Sequence, residues 1–106
     1  MTNLPNGPSP VEQGRRKAIP AATAERLNLL VRLMWALREL EQGSVLYMDG
    51  KAEPVLSVPV PARRRSLAVL VVQERGGGWS YLWDAARRTP VGAVRVAAEQ
   101  IAEVGR

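Results

Sequence analysis

The sequence predicts an α+β domain, with a four-stranded antiparallel meander sheet flanked by an N-terminal and a C-terminal helix. Short apolar runs separated by glycine and Asp-Gly turn signals predict the strands. A leucine-rich segment before them and an alanine-rich segment after them have helical spacing. The 106 residues are enough for one domain, which we expect at residues 21–106.

Residues 1–20 are predicted to be a disordered basic tail, because they contain four prolines and little apolar surface to bury. Three cations against the single anion Glu12 give this tail a charge of +2. It lacks the apolar core of a signal peptide, and the longest apolar stretch, residues 29–37, is too short to span a bilayer. We therefore expect a soluble, cytoplasmic protein without a membrane partner.

The first helix is predicted at residues 24–42, with Thr23 as its N-cap and Gly43 as its stop. Its apolar side chains form an arc wider than one sheet face covers. The arc contains Leu27, Leu30, Val31, Leu33, Met34, Leu37 and Leu40, with Trp35 at its margin. We therefore expect either that the sheet and the second helix together bury this arc, or that part of it contacts another subunit.

The first hairpin is predicted from residues 45–48 and 55–60, with Asp49-Gly50 as a tight turn. Alternation assigns Leu56, Val58 and Val60 to one face of the second strand and Ser57 and Pro59 to the other. Because Pro59 and Pro61 cannot donate backbone hydrogen bonds, the end of this strand is expected at an edge or an irregular position.

Residues 67–73 and 79–83 are predicted to form the second hairpin, with Gly76-Gly77-Gly78 as its turn. Residues 67–72 are apolar at every position, so both faces of the third strand are apolar. Such a strand is expected to be central and covered on both sides, or shielded by a partner.

The aromatic residues Trp79, Tyr81 and Trp83 alternate along the fourth strand and therefore project to one face of the sheet. Such a face forms either a wall of the core or a binding surface. We favour the core, because a chain of this size can hardly spare three large aromatic side chains from its only core.

The chain is predicted to end in a basic loop and a helix. Residues 84–92, which include Arg87 and Arg88, are expected to form the loop. The helix is predicted at residues 93–104, where small apolar residues make a narrow stripe suited to close packing on a sheet. The stripe consists of Val94, Ala97, Ala98 and Ile101.

This succession of segments resembles short uncharacterised proteins of high-GC Gram-positive bacteria. The resemblance covers roughly residues 24–104 and rests on the leucine-rich helix, Tyr47, PVLSVPV at residues 54–60, GGGWSYLWD at residues 76–84, Pro90 with Gly92, and AAEQIAEV at residues 97–104. It implies the helix, antiparallel sheet and helix layout and no activity.

The composition argues against catalysis. The chain has no cysteine and no histidine, which excludes thiolate nucleophiles, imidazole bases and Cys/His zinc sites. The triple glycine is followed by Trp79-Ser80 rather than by the lysine of a phosphate-binding loop. No pair of carboxylates is expected to converge on one pocket. The sequence therefore predicts no enzyme, no cofactor and no metal.

Two function classes remain open. The first is a non-catalytic interaction or regulatory adaptor that binds another protein, with a homodimer as one form; the wide arc of the first helix and the apolar third strand favour it. The second is a nucleic-acid-binding module that combines loop arginines with an aromatic strand face. Its candidate contacts are Arg63, Arg64, Arg65, Arg87, Arg88, Trp79, Tyr81 and Trp83.

Charge favours the first class over the second. The net charge is +5, and residues 21–106 contribute only +3 of it, from 12 cations against 9 anions. The predicted domain is therefore only mildly basic. In a meander, however, the turns after the second and fourth strands lie at the same end of the sheet, so we expect the loop arginines there to cluster.

Overall fold

The computed structural model describes residues 20–61, 64–84 and 86–104. The predicted disordered tail lies outside the described residues except for Pro20. The elements are α1 (Ala21–Glu39), β1 (Val45–Met48), β2 (Pro54–Val60), β3 (Arg65–Gln73), β4 (Trp79–Trp83), β5 (Arg87–Pro90), a 3-10 turn (Val91–Ala93) and α2 (Val94–Val104). The α+β class and the order of the two helices around an antiparallel sheet agree with the prediction. Neither helix is long and apolar enough to cross a membrane.

The sheet has five strands, and the prediction of four was wrong. Its order is β1-β2-β3-β4-β5, and every neighbouring pair is antiparallel. The additional strand β5 forms in the segment predicted as a basic loop, where Thr89 pairs with Tyr81 and Arg87 with Trp83. Two arginines, a threonine and a proline show no apolar alternation, so backbone pairing with β4 forms this strand without a sequence signal.

The helix α1 begins three residues before its predicted start. The carbonyl of Pro20 accepts a hydrogen bond from the backbone N–H of Ala24 at 2.9 Å, so Thr23 lies inside the helix and is not its cap. The helix ends before Gly43. Glu41 takes the left-handed conformation with φ 61°, and the N–H of Gln42 donates to the carbonyl of Leu37 at 2.9 Å.

The loop between β1 and β2 is longer than the predicted tight turn. It spans residues 49–53, and Asp49 Oδ1 accepts hydrogen bonds from the backbone N–H groups of Lys51 and Glu53, both at 2.8 Å. The residue with positive φ is Ala52, at 62°, rather than Gly50. The predicted glycine turn between β3 and β4 is confirmed, since Gly77 has φ 98° and Glu74 N–H donates to the carbonyl of Gly78.

One face of the sheet, which we call the inner face, packs against both helices. The core contains Leu29, Leu30, Leu33 and Leu37 of α1, Leu56, Val58, Val60, Leu67, Val69, Val71, Tyr81 and Trp83 of the sheet, and Ala97, Ala98 and Ile101 of α2. The predicted faces of β2 and α2 are confirmed. The helix α1 packs against α2, β2 and β3, which buries the centre of its wide arc and leaves Trp35 and Leu40 exposed.

Pro59 lies where the sequence predicts an edge. The strand β1 pairs with β2 only from Pro54 to Ser57, so the last three residues of β2 lack a β1 partner. On this open side, Gln42 Nε2 donates a hydrogen bond to the carbonyl of Pro59 at 3.4 Å. The proline therefore interrupts no ladder, although β2 is an inner strand along the rest of its length.

Candidate interaction surface

The strand register defines a second, outer face of the sheet. Val45 of β1 lies opposite Ser57 of β2, which lies opposite Ala68 of β3. Residues paired in this way point to the same side, so they share a face. A second row contains Tyr47 and Val55 of the first hairpin, and the register of β2 with β3 continues it to Leu70, Leu82 and Arg88. None of these residues belongs to the face that packs against the helices.

On the outer face, the exposed apolar side chains lie on β1 and β3, whereas Val55 of β2 is buried. Val45 is 60% exposed and Tyr47 is 45% exposed, while Ala68 is exposed and Leu70 is half-buried. We call these four residues the open patch. Within residues 20–61, 64–84 and 86–104, no helix packs on this side. The open patch is therefore the main apolar surface of the sheet that solvent reaches.

An ion pair lies over the β4 side of the outer face. Arg88 Nη1 is 3.0 Å from Glu74 Oε1 and 3.1 Å from its Oε2, so the guanidinium donates to both carboxylate oxygens. A hydrogen bond from the Ser80 hydroxyl is the largest effect and lowers the pKa of Glu74; desolvation opposes it, and the hydrogen bond and charge of Arg88 lower the pKa further. The charges of the pair cancel, so this part of the face carries no net charge.

The aromatic side chains of β4 lie on the inner face. Tyr81 and Trp83 are buried in the core, which confirms the interpretation of these two residues as a core wall. The Tyr81 hydroxyl donates a hydrogen bond to the carbonyl of Leu29 at 2.7 Å, which fixes β4 to α1. Trp79 is half-buried, with the guanidinium carbon of Arg26 5.5 Å from its ring centroid. The rings of Tyr81 and Trp83 are closed to a stacked base in this structure.

The candidate arginines have different surroundings. Arg63 lies outside the described residues, and Arg64 is exposed with φ 52°. Arg65 Nη2 is 3.7 Å from Asp84 Oδ1, which joins the β2–β3 turn to the end of β4 and confirms that these segments meet at one end of the sheet. The guanidinium of Arg87 lies 5.1 Å from the ring centroid of Trp83.

Arg88 lies on a different face of the sheet from Arg65 and Arg87. Arg88 reaches towards Glu74 on the outer face, whereas Arg65 pairs with Asp84 and Arg87 lies over Trp83. Two of the four candidate arginines that the structure describes, Arg65 and Arg88, thus lie beside a carboxylate. The described part of the chain also has no group of three or more acidic, cysteine or histidine side chains that could hold a metal ion.

Sequence reasoning found part of the open patch and missed the rest. The two-sided apolarity of residues 67–72 pointed to Ala68 and Leu70 as members of a second apolar face. Val45 and Tyr47 of β1 were not singled out, although they are among the most exposed large apolar side chains. The available signal was their alternation, which becomes informative only when the register of the first hairpin is known.

In comparisons with known proteins, no family model, curated protein or solved structure matches this chain. The resemblance to short proteins of high-GC bacteria therefore stays a prediction. Any function must be argued from the geometry of the fold and the chemistry of its surface.

Proposed function

We propose that this chain is a non-catalytic interaction domain, a small regulatory adaptor that binds another protein and also associates with itself. The observation that carries the proposal is the open patch. Exposed apolar patches on one face of a small domain are typical of protein–protein interaction sites. A partner that covers Val45, Tyr47 and Ala68 would give β3 the second cover that its apolar sequence requires.

The electrostatics of the outer face support a protein partner. The chain carries a net charge of +5, yet among the paired strand residues that the structure describes, Arg88 is the only charged one on this face, and it forms an ion pair with Glu74. Charged residues are depleted from the centres of protein–protein interfaces. The open patch has this character, because it consists of two aliphatic residues, one alanine and one tyrosine.

The absence of histidine and cysteine supports a non-catalytic role. The carboxylates of Glu74 and Asp84 each lie beside an arginine, and that of Asp49 accepts hydrogen bonds within its own loop. These contacts give each carboxylate a structural task. General acid or base catalysis would instead need a carboxyl group free to exchange a proton with a bound substrate.

Replacing Ala68 with lysine is expected to abolish binding of the protein partner. Ala68 is exposed at the centre of the outer face, so the substitution puts a charge into the contact without creating a cavity. We expect the full-length variant to fold as the wild type does and to lose a partner that the tagged wild-type chain retains from a native extract. Quantitative mass spectrometry of the two eluates measures this loss.

Asn28→Lys is the matched control for this experiment. Asn28 is exposed on α1, on the opposite side of the sheet, and the substitution adds the same charge. The control is expected to retain every partner of the wild type. If Ala68→Lys retains the same partners as Asn28→Lys, the open patch is not the binding surface and the adaptor proposal loses its main support.

Nucleic-acid binding is the competing proposal, and Arg64 and Arg87 support it, because both are exposed and neither has a carboxylate ion pair among the described residues. It predicts that fluorescence anisotropy detects binding of labelled DNA or RNA at low salt, with an affinity that falls steeply as salt rises. Arg64→Glu should then weaken binding further. The adaptor proposal predicts no anisotropy change with either nucleic acid.

A further inference from the structure

We propose that β1 is a self-association strand. It pairs edge to edge and antiparallel with β1 of a second copy of this chain, and a two-fold axis joins the two five-stranded sheets into one ten-stranded sheet. This inference rests on the self-association in the proposed function and defines the contact for it: the backbone edge of β1 together with Met48 on the inner face, beside Val45 and Tyr47, which also belong to the open patch.

The two edges of the sheet differ in how well they are protected. Exposed edge strands offer unpaired backbone groups to other chains, and charged residues or prolines normally prevent such pairing. The edge strand β5 has this protection, since it contains Arg87, Arg88 and Pro90. The edge strand β1 has the sequence Val-Leu-Tyr-Met, with neither a charge nor a proline. Only β1 is therefore suited to accept a further strand.

The exposed apolar side chains of β1 point to both sides of the sheet. Val45 and Tyr47 lie on the outer face, and Met48, which is 44% exposed, alternates to the inner face. The helix α1 makes its main sheet contacts with β2 and β3, so the end of β1 extends beyond the helical layer. A ligand on one face would leave the other side exposed. A strand added at the edge brings its own side chains beside those of β1 on both faces.

The charges around β1 identify a second copy as the occupant. A two-fold interface brings the same surface together twice, so a strand that pairs with itself must not carry like charges. The uncharged strand β1 meets this condition. In antiparallel pairing, the C-terminal end of one β1 meets the N-terminal end of the other. The exposed cation Lys51, just after β1, then lies near the exposed anion Glu41, just before β1 of the second copy.

Sedimentation velocity of the full-length chain tests this proposal over a range of protein concentrations. The wild type is expected to shift from a monomer to a dimer as the concentration rises. Tyr47→Lys and Met48→Lys, which lie on opposite faces of β1, should each leave only monomer, because each substitution puts a cation into the uncharged, apolar contact between the two strands. Circular dichroism checks that both variants fold.

Two matched variants separate edge pairing from other modes of association. Val96→Lys replaces a side chain on α2 that is 47% exposed, and it is expected to dimerise as the wild type does. Ala68→Lys changes the outer face away from the edge and should also leave the dimer intact. A dimer lost with Ala68→Lys but retained with Met48→Lys overturns edge pairing in favour of stacked outer faces.

Cysteine cross-linking provides a second measurement, since the chain has no natural cysteine. Single cysteines introduced in turn at the four positions of β1 should give covalent dimers with a short thiol cross-linker, whereas Arg87→Cys on β5 should not. A chain that sediments as a monomer at every concentration and gives no β1 cross-link overturns the proposal. That result would not affect binding of a different protein through the open patch, which the extract experiment measures separately.

Discussion

Trp83→Ala is expected to lower the free energy of unfolding by about 3–5 kcal/mol. The side chain is only 1% exposed, and its removal leaves a cavity between the sheet and the helices. Domains of this size have total stabilities of about 5–15 kcal/mol, so the variant should be close to the limit of stability. Urea unfolding followed by far-ultraviolet circular dichroism measures the change, since the substitution itself alters the fluorescence.

Trp35→Ala is the matched control, because this tryptophan is 58% exposed on α1. Its loss should change the free energy of unfolding by no more than about 0.5 kcal/mol. Trp83→Phe should fall between the two, since it keeps an aromatic ring and removes a buried indole N–H that has no hydrogen-bond partner in the described structure. Equal midpoints for Trp83→Ala and Trp35→Ala would contradict the position of Trp83 in the core.

The alternation of β4 explains why its buried face could be predicted from the sequence. Tyr81 and Trp83 recur every second residue, and a core of this size needs their volume. The same reasoning correctly assigned Leu56, Val58 and Val60 to the inner face of β2. Periodicity is informative here because the inner positions are large and apolar and the sheet has one fully covered face.

The loop ends and the fifth strand could not be predicted in the same way. Glu41 and Ala52 adopt positive φ although glycines stand nearby in the sequence, so tertiary packing outweighs the intrinsic preference of each residue. The strand β5 contains Arg87, Arg88, Thr89 and Pro90, which individually favour loops or turns. Its pairing with β4 becomes evident only when β4 is known to need a partner.

The open patch depends on a register that the sequence left undetermined. A two-residue turn at Asp49-Gly50 would pair Val45 with Pro54, whereas the observed loop pairs Val45 with Ser57. These registers differ by an odd number of residues, and such a shift turns every side chain of β1 to the opposite face. The longer loop therefore brings Val45 and Tyr47 to the outer face beside Ala68. Hydrogen bonds from the loop backbone to Asp49 stabilise that register.

The free energy of unfolding is expected to fall at alkaline pH, and Tyr81 is expected to cause part of that fall. Burial raises the pKa of Tyr81 from 10.0 to about 12, against a smaller opposing effect of the Arg32 charge. A group whose folded-state pKa is raised contributes its full stability below the unfolded pKa. For Tyr81, that contribution is retained below about pH 10 and lost as the pH rises towards 12. A shift of two pKa units corresponds to about 2.7 kcal/mol.

Tyr81→Phe isolates this effect from every other titrating group. Below pH 10 the variant should be less stable than the wild type by about 0.5–1.5 kcal/mol, because it lacks the 2.7 Å hydrogen bond to the carbonyl of Leu29. Phenylalanine does not titrate, so the variant should lose less stability than the wild type as the pH rises. The urea midpoints of the wild type and of Tyr81→Phe should therefore converge and then cross as the pH rises from 10 towards 12. Parallel curves for the two proteins would mean that the Tyr81 hydroxyl reaches water in the folded state.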